Sequence, residues 1–401
     1  MITDIPTTQE PQMPVRPLPA LLTSALALTL TALPLAGTAS ARPPSPSSCS
    51  ARAIEAASPH GPDVKALCAA IAGLPDKDAT AALIRVGGKG SWHGVAGVRD
   101  TRTGAPALEN ARFRAGSTTK IVTAAIVLQL AAEGRISLDG TVQRYLPGLL
   151  ADDFEPITVR QLLNFTSGLQ PGASLGEDVD DGYEHRFETL TPEEVVAASV
   201  AKGPDPDPAH GPGEHQRYGN IHYTVLGLLI EKVTGDSYAH QAAVRIFRPL
   251  GMRHTSFPAG PDPRVHGPHN RGYDWIDGRL VDVTEWNMSD RFAAGDMIST
   301  TADLERLLFA LFRGQVVPEP QLKEMFTVPD VDGATMAAAL ERYELNGREI
   351  WGKTGARPGY HTVVAATRDL SRTVVYSVNS TDAKGDGLAI VQRFAFPAFN
   401  R

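Results

Sequence analysis

Phe113-Arg114-Ala115-Gly116-Ser117-Thr118-Thr119-Lys120 and the run that follows decide how this chain is read. From residue 121 to 132 only Thr123 and Gln129 interrupt an apolar stretch, and Gly134 closes it. A helix that is apolar on every face is buried, and this one is predicted to begin near Ser117. Ser117 and Lys120 stand three apart and so share one face of the first turn. The N–H groups of a first turn lack intrahelical partners and carry the positive end of the helix dipole. A hydroxyl, an amine and free N–H donors at one buried helix start are the parts of a serine acyl-transfer site.

Ser-x-x-Lys is a short pattern, and Ser199-Val200-Ala201-Lys202 repeats it. That copy falls at the end of a predicted helix, where the dipole disfavours an alkoxide, and it reads as a solvated face. Two other elements follow Ser117 in order. Tyr218-Gly219-Asn220 precedes a helix predicted over 221–234, and Lys353-Thr354-Gly355 ends a strand predicted over 349–352. Ser377-Val378-Asn379 falls inside a strand after Lys-Thr-Gly and is set aside. Residues 347–354, Gly-Arg-Glu-Ile-Trp-Gly-Lys-Thr, satisfy the P-loop pattern, but that loop must open a helix. Gly355 and Pro358-Gly359 follow instead, and Glu349, Ile350 and Trp351 obstruct close phosphate approach. His266 and His269 have no further ligand cluster nearby and read as loop residues. His-Glu-x-x-His is absent from the sequence.

The 401 residues are 42% hydrophobic and 21% charged, with a net charge of −7, which gives nucleic-acid binding no electrostatic support. Residues 1–41 read as an export signal: 18–36 are mostly apolar and Ala39-Ser40-Ala41 supplies small residues for cleavage. Met13 is an alternative start, and Pro34 with the adjacent cleavage site opposes a retained membrane span. Residues 42–62 read as a flexible leader, and 63–401 as one catalytic domain. Cys49 and Cys68 are the two cysteines; they form either a disulfide or two free thiols. The periodicity predicts a β-hairpin over 81–98 and helices over 157–163, 191–203, 301–312 and 387–396. Strands are predicted over 349–352, 362–367 and 372–378. Strands at both ends and helices between them give an α+β fold, an antiparallel sheet built from both chain ends with a helical lobe, about 116–300, inserted.

Ser-x-x-Lys, Tyr-x-Asn and Lys-Thr-Gly in this order resemble the serine β-lactamase and DD-peptidase superfamily. The branch with Tyr-x-Asn includes class C β-lactamases, D-alanyl-D-alanine carboxypeptidases and related esterases. Ile157-Thr158-Val159-Arg160-Gln161-Leu162-Leu163, Thr166-Ser167-Gly168, Pro249-Leu250-Gly251-Met252 and Pro358-Gly359-Tyr360 extend the similarity over most of the chain. Three positions depart: Phe165 stands where many relatives have His, Gly219 replaces Ser, and Asp296 replaces an apolar residue. The resemblance implies Ser117 as nucleophile, with Lys120 and Tyr218 sharing the base and proton-relay roles. It implies Asn220 as a hold on substrate amide and Lys120, and the N–H groups of Ser117 and Ala356 as an oxyanion hole. Lys353 and Thr354 would bind a substrate carboxylate, with Arg357 as a further candidate or else a surface residue, and Gly355 is a further substrate-binding position. It implies no metal and no organic cofactor. The expected function is a secreted D-alanyl-D-alanine carboxypeptidase acting on peptidoglycan stem peptides. A β-lactamase acting on a lactam, an esterase, or a penicillin-binding sensor without turnover are the alternatives.

Overall fold

The computed structural model describes residues 49–50, 60–176, 179–258, 260–382, 385 and 387–400. The export signal predicted over 1–41 and most of the 42–62 leader lie outside the described residues. The strands, in chain order, are β1 (Ala79–Gly88), β2 (Trp92–Asp100), β3 (Ala105–Pro106), β4 (Phe113–Arg114), β5 (Tyr273–Ile276) and β6 (Arg279–Asp282). They continue with β7 (Ile298–Ser299), β8 (Glu341–Leu345), β9 (Arg348–Arg357), β10 (Tyr360–Thr367) and β11 (Arg372–Ser380). Among the described residues the helices of eight or more residues are α1 (Val64–Ile71), α2 (Thr119–Ala132), α3 (Pro192–Val200), α4 (Asn220–Thr234), α5 (Thr301–Phe312) and α6 (Gly387–Phe394).

One sheet runs β3-β2-β1-β11-β10-β9-β8, with every pair antiparallel. The two chain ends meet where β1 joins β11: Ala82 faces Val378, Ile84 faces Tyr376 and Val86 faces Val374. Every residue of β10 and of β11 is buried, as expected for strands covered on both faces. On one face α1 and α6 pack Leu67, Ile71, Ile390 and Phe394 against Ile84, Val363, Val374 and Tyr376. On the other face lies the larger core, centred on α2, with α3, α4 and α5. The molecule is thus three layers, with the inserted lobe on the inner face. The insertion is helical at its centre and also carries the β5–β6 hairpin, and β7 at its end pairs with β4 just before its start.

Local sequence explains where the helices start. Thr158 and Gln161 cap each other's backbone at the start of Val159–Leu163, and Thr191 and Glu194 do so at α3. Thr300 caps α5, its hydroxyl accepting from the Asp303 N–H at 3.2 Å. Along α2, Ile121, Ile126, Leu128 and Leu130 are at most 2% exposed. Burying each such side chain contributes about 1.5–3 kcal/mol, so the helix is anchored by tertiary packing. Cys49 and Cys68 form a disulfide that ties residue 49 to α1.

Candidate active site

Ser117 lies in the single 3-10 turn Gly116–Thr118 that leads into α2, one turn earlier than the start of the α-helix proper. The turn is pinned from three sides. The Thr118 hydroxyl donates to Ala115 O at 2.8 Å, and the Thr119 hydroxyl donates to Gly116 O at 2.7 Å while accepting from Met297 N at 3.1 Å. The β4–β7 pair and an Ala115 N to Met297 O bond of 2.8 Å fix the chain entering it. Gly116 has φ +53°, a conformation that glycine adopts without penalty. A Cβ there would lie 2.7 Å from Ala356 N, and one on Gly355 would lie 2.1 Å from Ala115 O and 3.0 Å from Ser117 N. These two glycines let the turn and β9 touch. The backbone N–H groups of Ser117 and Ala356 stand on either side of that contact.

Lys120 is fully buried. Its Nζ donates to Asn220 Oδ1 at 2.7 Å and to Ala294 O at 2.8 Å, and lies 3.3 Å from Ser117 Oγ. A neutral amine satisfied by those two carbonyl oxygens has its lone pair left for the Ser117 hydroxyl. Burial brings the Lys120 ammonium down to about 8, with the Lys353 charge adding to the shift and Tyr218 opposing it. Tyr218 donates its hydroxyl to Ser117 Oγ at 2.7 Å. Desolvation of the hydroxyl end pushes its pKa up, but the charges of Lys120 and Lys353 outweigh this and bring it to about 7. The two Nζ atoms lie 4.9 and 4.7 Å from its ring centroid.

Tyr218 is 44% exposed, so its orientation depends on what stands behind it. Phe165, at φ +63°, packs its ring 5.1 Å from that of Tyr218 and 5.2 Å from that of Tyr223. Ser167 Oγ and His222 Nδ1 are 2.8 Å apart, and His222 Nε2 lies 3.0 Å from Arg217 O, the carbonyl directly before Tyr218. Burial brings His222 down to about 4, so it is a neutral strut. The Thr-Ser-Gly stretch therefore acts on the site through the Tyr218 loop.

Lys353, Thr354 and Gly355 lie inside β9, which runs on to Arg357; the strand expected to end at 352 is longer because β10 pairs with it up to Arg357. On the opposite side β8 reaches only Gly352, opposite Glu341. The edge of β9 from Lys353 onward thus faces the Ser117 turn. Lys353 Nζ donates to Thr354 O at 3.0 Å. Arg357, for which a surface position was the alternative, is 3% exposed.

All nine expected residues thus fall on the Ser117 turn and the first turn of α2 after it, the Tyr218–Asn220 loop and helix start, or β9. The others separate cleanly. Ser199 donates to Gln170 O and Lys202 Nζ to Pro171 O at 2.7 Å, so the second Ser-x-x-Lys serves local packing. Gly347 belongs to the turn between β8 and β9, with no helix after it. His266 bonds Asp262 at 2.6 Å and His269 lies 2.8 Å from Gly267 O. Among the described residues no group of three His, Cys, Asp or Glu side chains is arranged to hold a metal ion. Sequence reading missed the Ala293–Asp296 segment, whose carbonyls accept from Thr123 at 2.6 Å and from Lys120. The unusual Asp296 was its one signal. It is 8% exposed, and burial pushes its carboxyl up to about 7.

A lysine Nζ and a tyrosine hydroxyl, each within 3.3 Å of one serine hydroxyl and set between a sheet edge and a helical lobe, form the arrangement of a serine hydrolase. The chain belongs to the Beta-lactamase family, whose family model matches residues 69–394. Among solved structures it is similar to a D-stereospecific amidohydrolase from Streptomyces sp., at 33% identity and a TM-score of 0.70, covering 82% of this chain and 97% of that one. Among curated proteins it is 31% identical over 214 residues to Protein flp of Staphylococcus aureus (strain N315), covering 52% of this chain and 40% of that one. Esterase EstB of Burkholderia gladioli is 33% identical over 187 residues, covering 44% and 46%. The chain spans less than half the length of these curated relatives.

Proposed function

We propose that this β-lactamase-fold serine hydrolase is an amidohydrolase of D-configured amides and peptides, D-alanyl-D-alanine stem peptides of peptidoglycan among them. The observation that carries this reading is the Ser117 hydroxyl held between Lys120 Nζ and the Tyr218 hydroxyl. The likeness to the D-stereospecific amidohydrolase supports the substrate class. Ser117 Oγ attacks the carbonyl carbon while its proton passes to the Lys120–Tyr218 pair. The N–H groups of Ser117 and Ala356 receive the oxyanion. Collapse breaks the amide bond, and the Tyr218 hydroxyl hands its proton to the leaving nitrogen. Water then cleaves the Ser117 ester. Asn220 fixes Lys120 and offers its amide to the substrate, while Lys353 and Thr354 face a terminal carboxylate; Gly355 gives the approach and Arg357 supports the strand end.

Export through residues 1–41 is part of the proposal. The apolar 18–36 stretch and the Cys49–Cys68 bridge, a bond of oxidising compartments, support it. N-terminal sequencing of secreted material should begin near Arg42; an intact 1–41 in a cell-retained protein refutes export.

The activity is tested with residues 42–401, a D-alanine amide, a D-Ala-D-Ala peptide, nitrocefin and a p-nitrophenyl ester, with Ser117→Ala as control. Turnover of the D-amide or the D-Ala-D-Ala peptide, lost at least 10³-fold in the variant, is expected. Rapid nitrocefin turnover without either would make the protein a β-lactamase, and ester cleavage alone would make it an esterase. Equal rates for parent and Ser117→Ala would remove the hydrolase reading altogether.

A further inference from the structure

A cavity of about 350 Å³ opens beside β9, on the sheet face away from the helical lobe. Its floor is Ile350, Val363 and Ala365 of the sheet, and Val391 and Phe399 of the C-terminal segment close it. Lys353 and Thr354 line it as well, so it is continuous with the proposed carboxylate-binding strand. The volume is at the lower end of the range of small-molecule sites, roughly 300–1,000 Å³. Most of its wall is apolar, and Tyr343, Glu344, Lys353, Thr354 and His361 are the polar residues among those that line it. His361 is 3% exposed, with Nδ1 2.8 Å from the Tyr376 hydroxyl. Burial and the Lys353 charge bring His361 down to about 4, so the ring presents no charge to an apolar occupant.

Which part of a substrate would reach the cavity follows from Lys353 and Thr354, which line it and are also the residues proposed to face a terminal carboxylate. In a D-Ala-D-Ala peptide that carboxylate belongs to the leaving amine, so the leaving portion of a substrate is the one directed toward the cavity. We propose that this cavity is a leaving-group pocket, and that the enzyme prefers amides and esters whose amine or alcohol carries an apolar chain of several carbons. This inference rests on the role given to Lys353 and Thr354 above.

D-alanine methyl, butyl and hexyl esters keep the acyl group constant and vary only the portion offered to the cavity. In the parent, kcat/KM should rise with chain length, by up to about fourfold for each methylene that becomes fully buried. Val391→Trp, which fills the cavity, should abolish the rise and leave methyl ester turnover unchanged. Leu388→Glu, at a rim position that is 65% exposed, should weaken the rise without a risk of misfolding. A flat dependence in the parent with active methyl ester turnover overturns the pocket and leaves the hydrolase standing. Calorimetry of n-hexanol with Ser117→Ala reads the cavity without turnover. Binding that is lost in the Val391→Trp double variant supports the pocket even if the D-esters are not cleaved, and absence of binding overturns it.

Discussion

At the scale of single residues, the site is governed by cations around one phenol. Lys120 and Lys353 both lower Tyr218, and Lys353 also lowers Lys120. The catalytic base must be unprotonated, so activity should fall as pH drops below the values near 7 and 8 that the pair shows. Removing the Lys353 charge withdraws a shift that lowers both groups. The acidic limb of the kcat/KM profile of Lys353→Met should therefore move to higher pH, a direction that simple loss of substrate affinity does not produce. An unmoved limb would show that Lys353 acts only on substrate. Tyr218→Phe keeps the ring between Phe165 and the two lysines but loses the hydroxyl. It should lower kcat by about 10²–10⁴-fold with little change in thermal stability, the range expected of a lost general acid–base group.

At the scale of elements, the decisive contact is backbone against backbone, where the Ser117 turn meets β9. Gly116→Ala would put a β-carbon 2.7 Å from Ala356 N at a positive φ. It should cost about 1–3 kcal/mol of stability and separate the two N–H donors, taking activity with it. A fully active Gly116→Ala would show that Ala356 N–H is not part of the site. This contact also shows what was legible beforehand. The largely apolar run 121–132 announced a buried helix because Thr123 and Gln129 do not make a solvated face, and Thr191-Pro192-Glu193-Glu194 announced its own cap. Tyr218 and Lys353 were legible as motifs in order. The Ala294 carbonyl was not, since an acceptor on the main chain leaves no residue-type signature. Strand β9 was read five residues short because Gly355 looks like a terminator until the turn packed against it is known. Arg357 looked like surface for the same reason: its burial comes from elements distant in sequence.

At the scale of the whole molecule, the β1–β11 pairing joins residues 79–88 to residues 372–380, so the sheet closes only when nearly the entire chain is present. A chain truncated after Thr367 lacks β11 and α6. It should show no cooperative thermal transition, and a folded truncate would contradict this account. The disulfide lies with α1 on the outer layer, away from Ser117. Cys68→Ser should lower stability by about 2–4 kcal/mol and leave kcat unchanged. The same architecture bears on how copies of the protein coexist in solution. A strand edge with no neighbour is a template for another chain, and such edges drive aggregation unless they are short, charged or covered. Beyond Gly352, β9 is such an edge, and it is bounded by the Lys353 ammonium at one end and by the Ala115–Ser117 turn beside Gly355. The turn leaves no room for a second strand beside Gly355, where even a Cβ would lie 2.1 Å from Ala115 O. Its placement therefore keeps a reactive strand edge from becoming a seam between molecules.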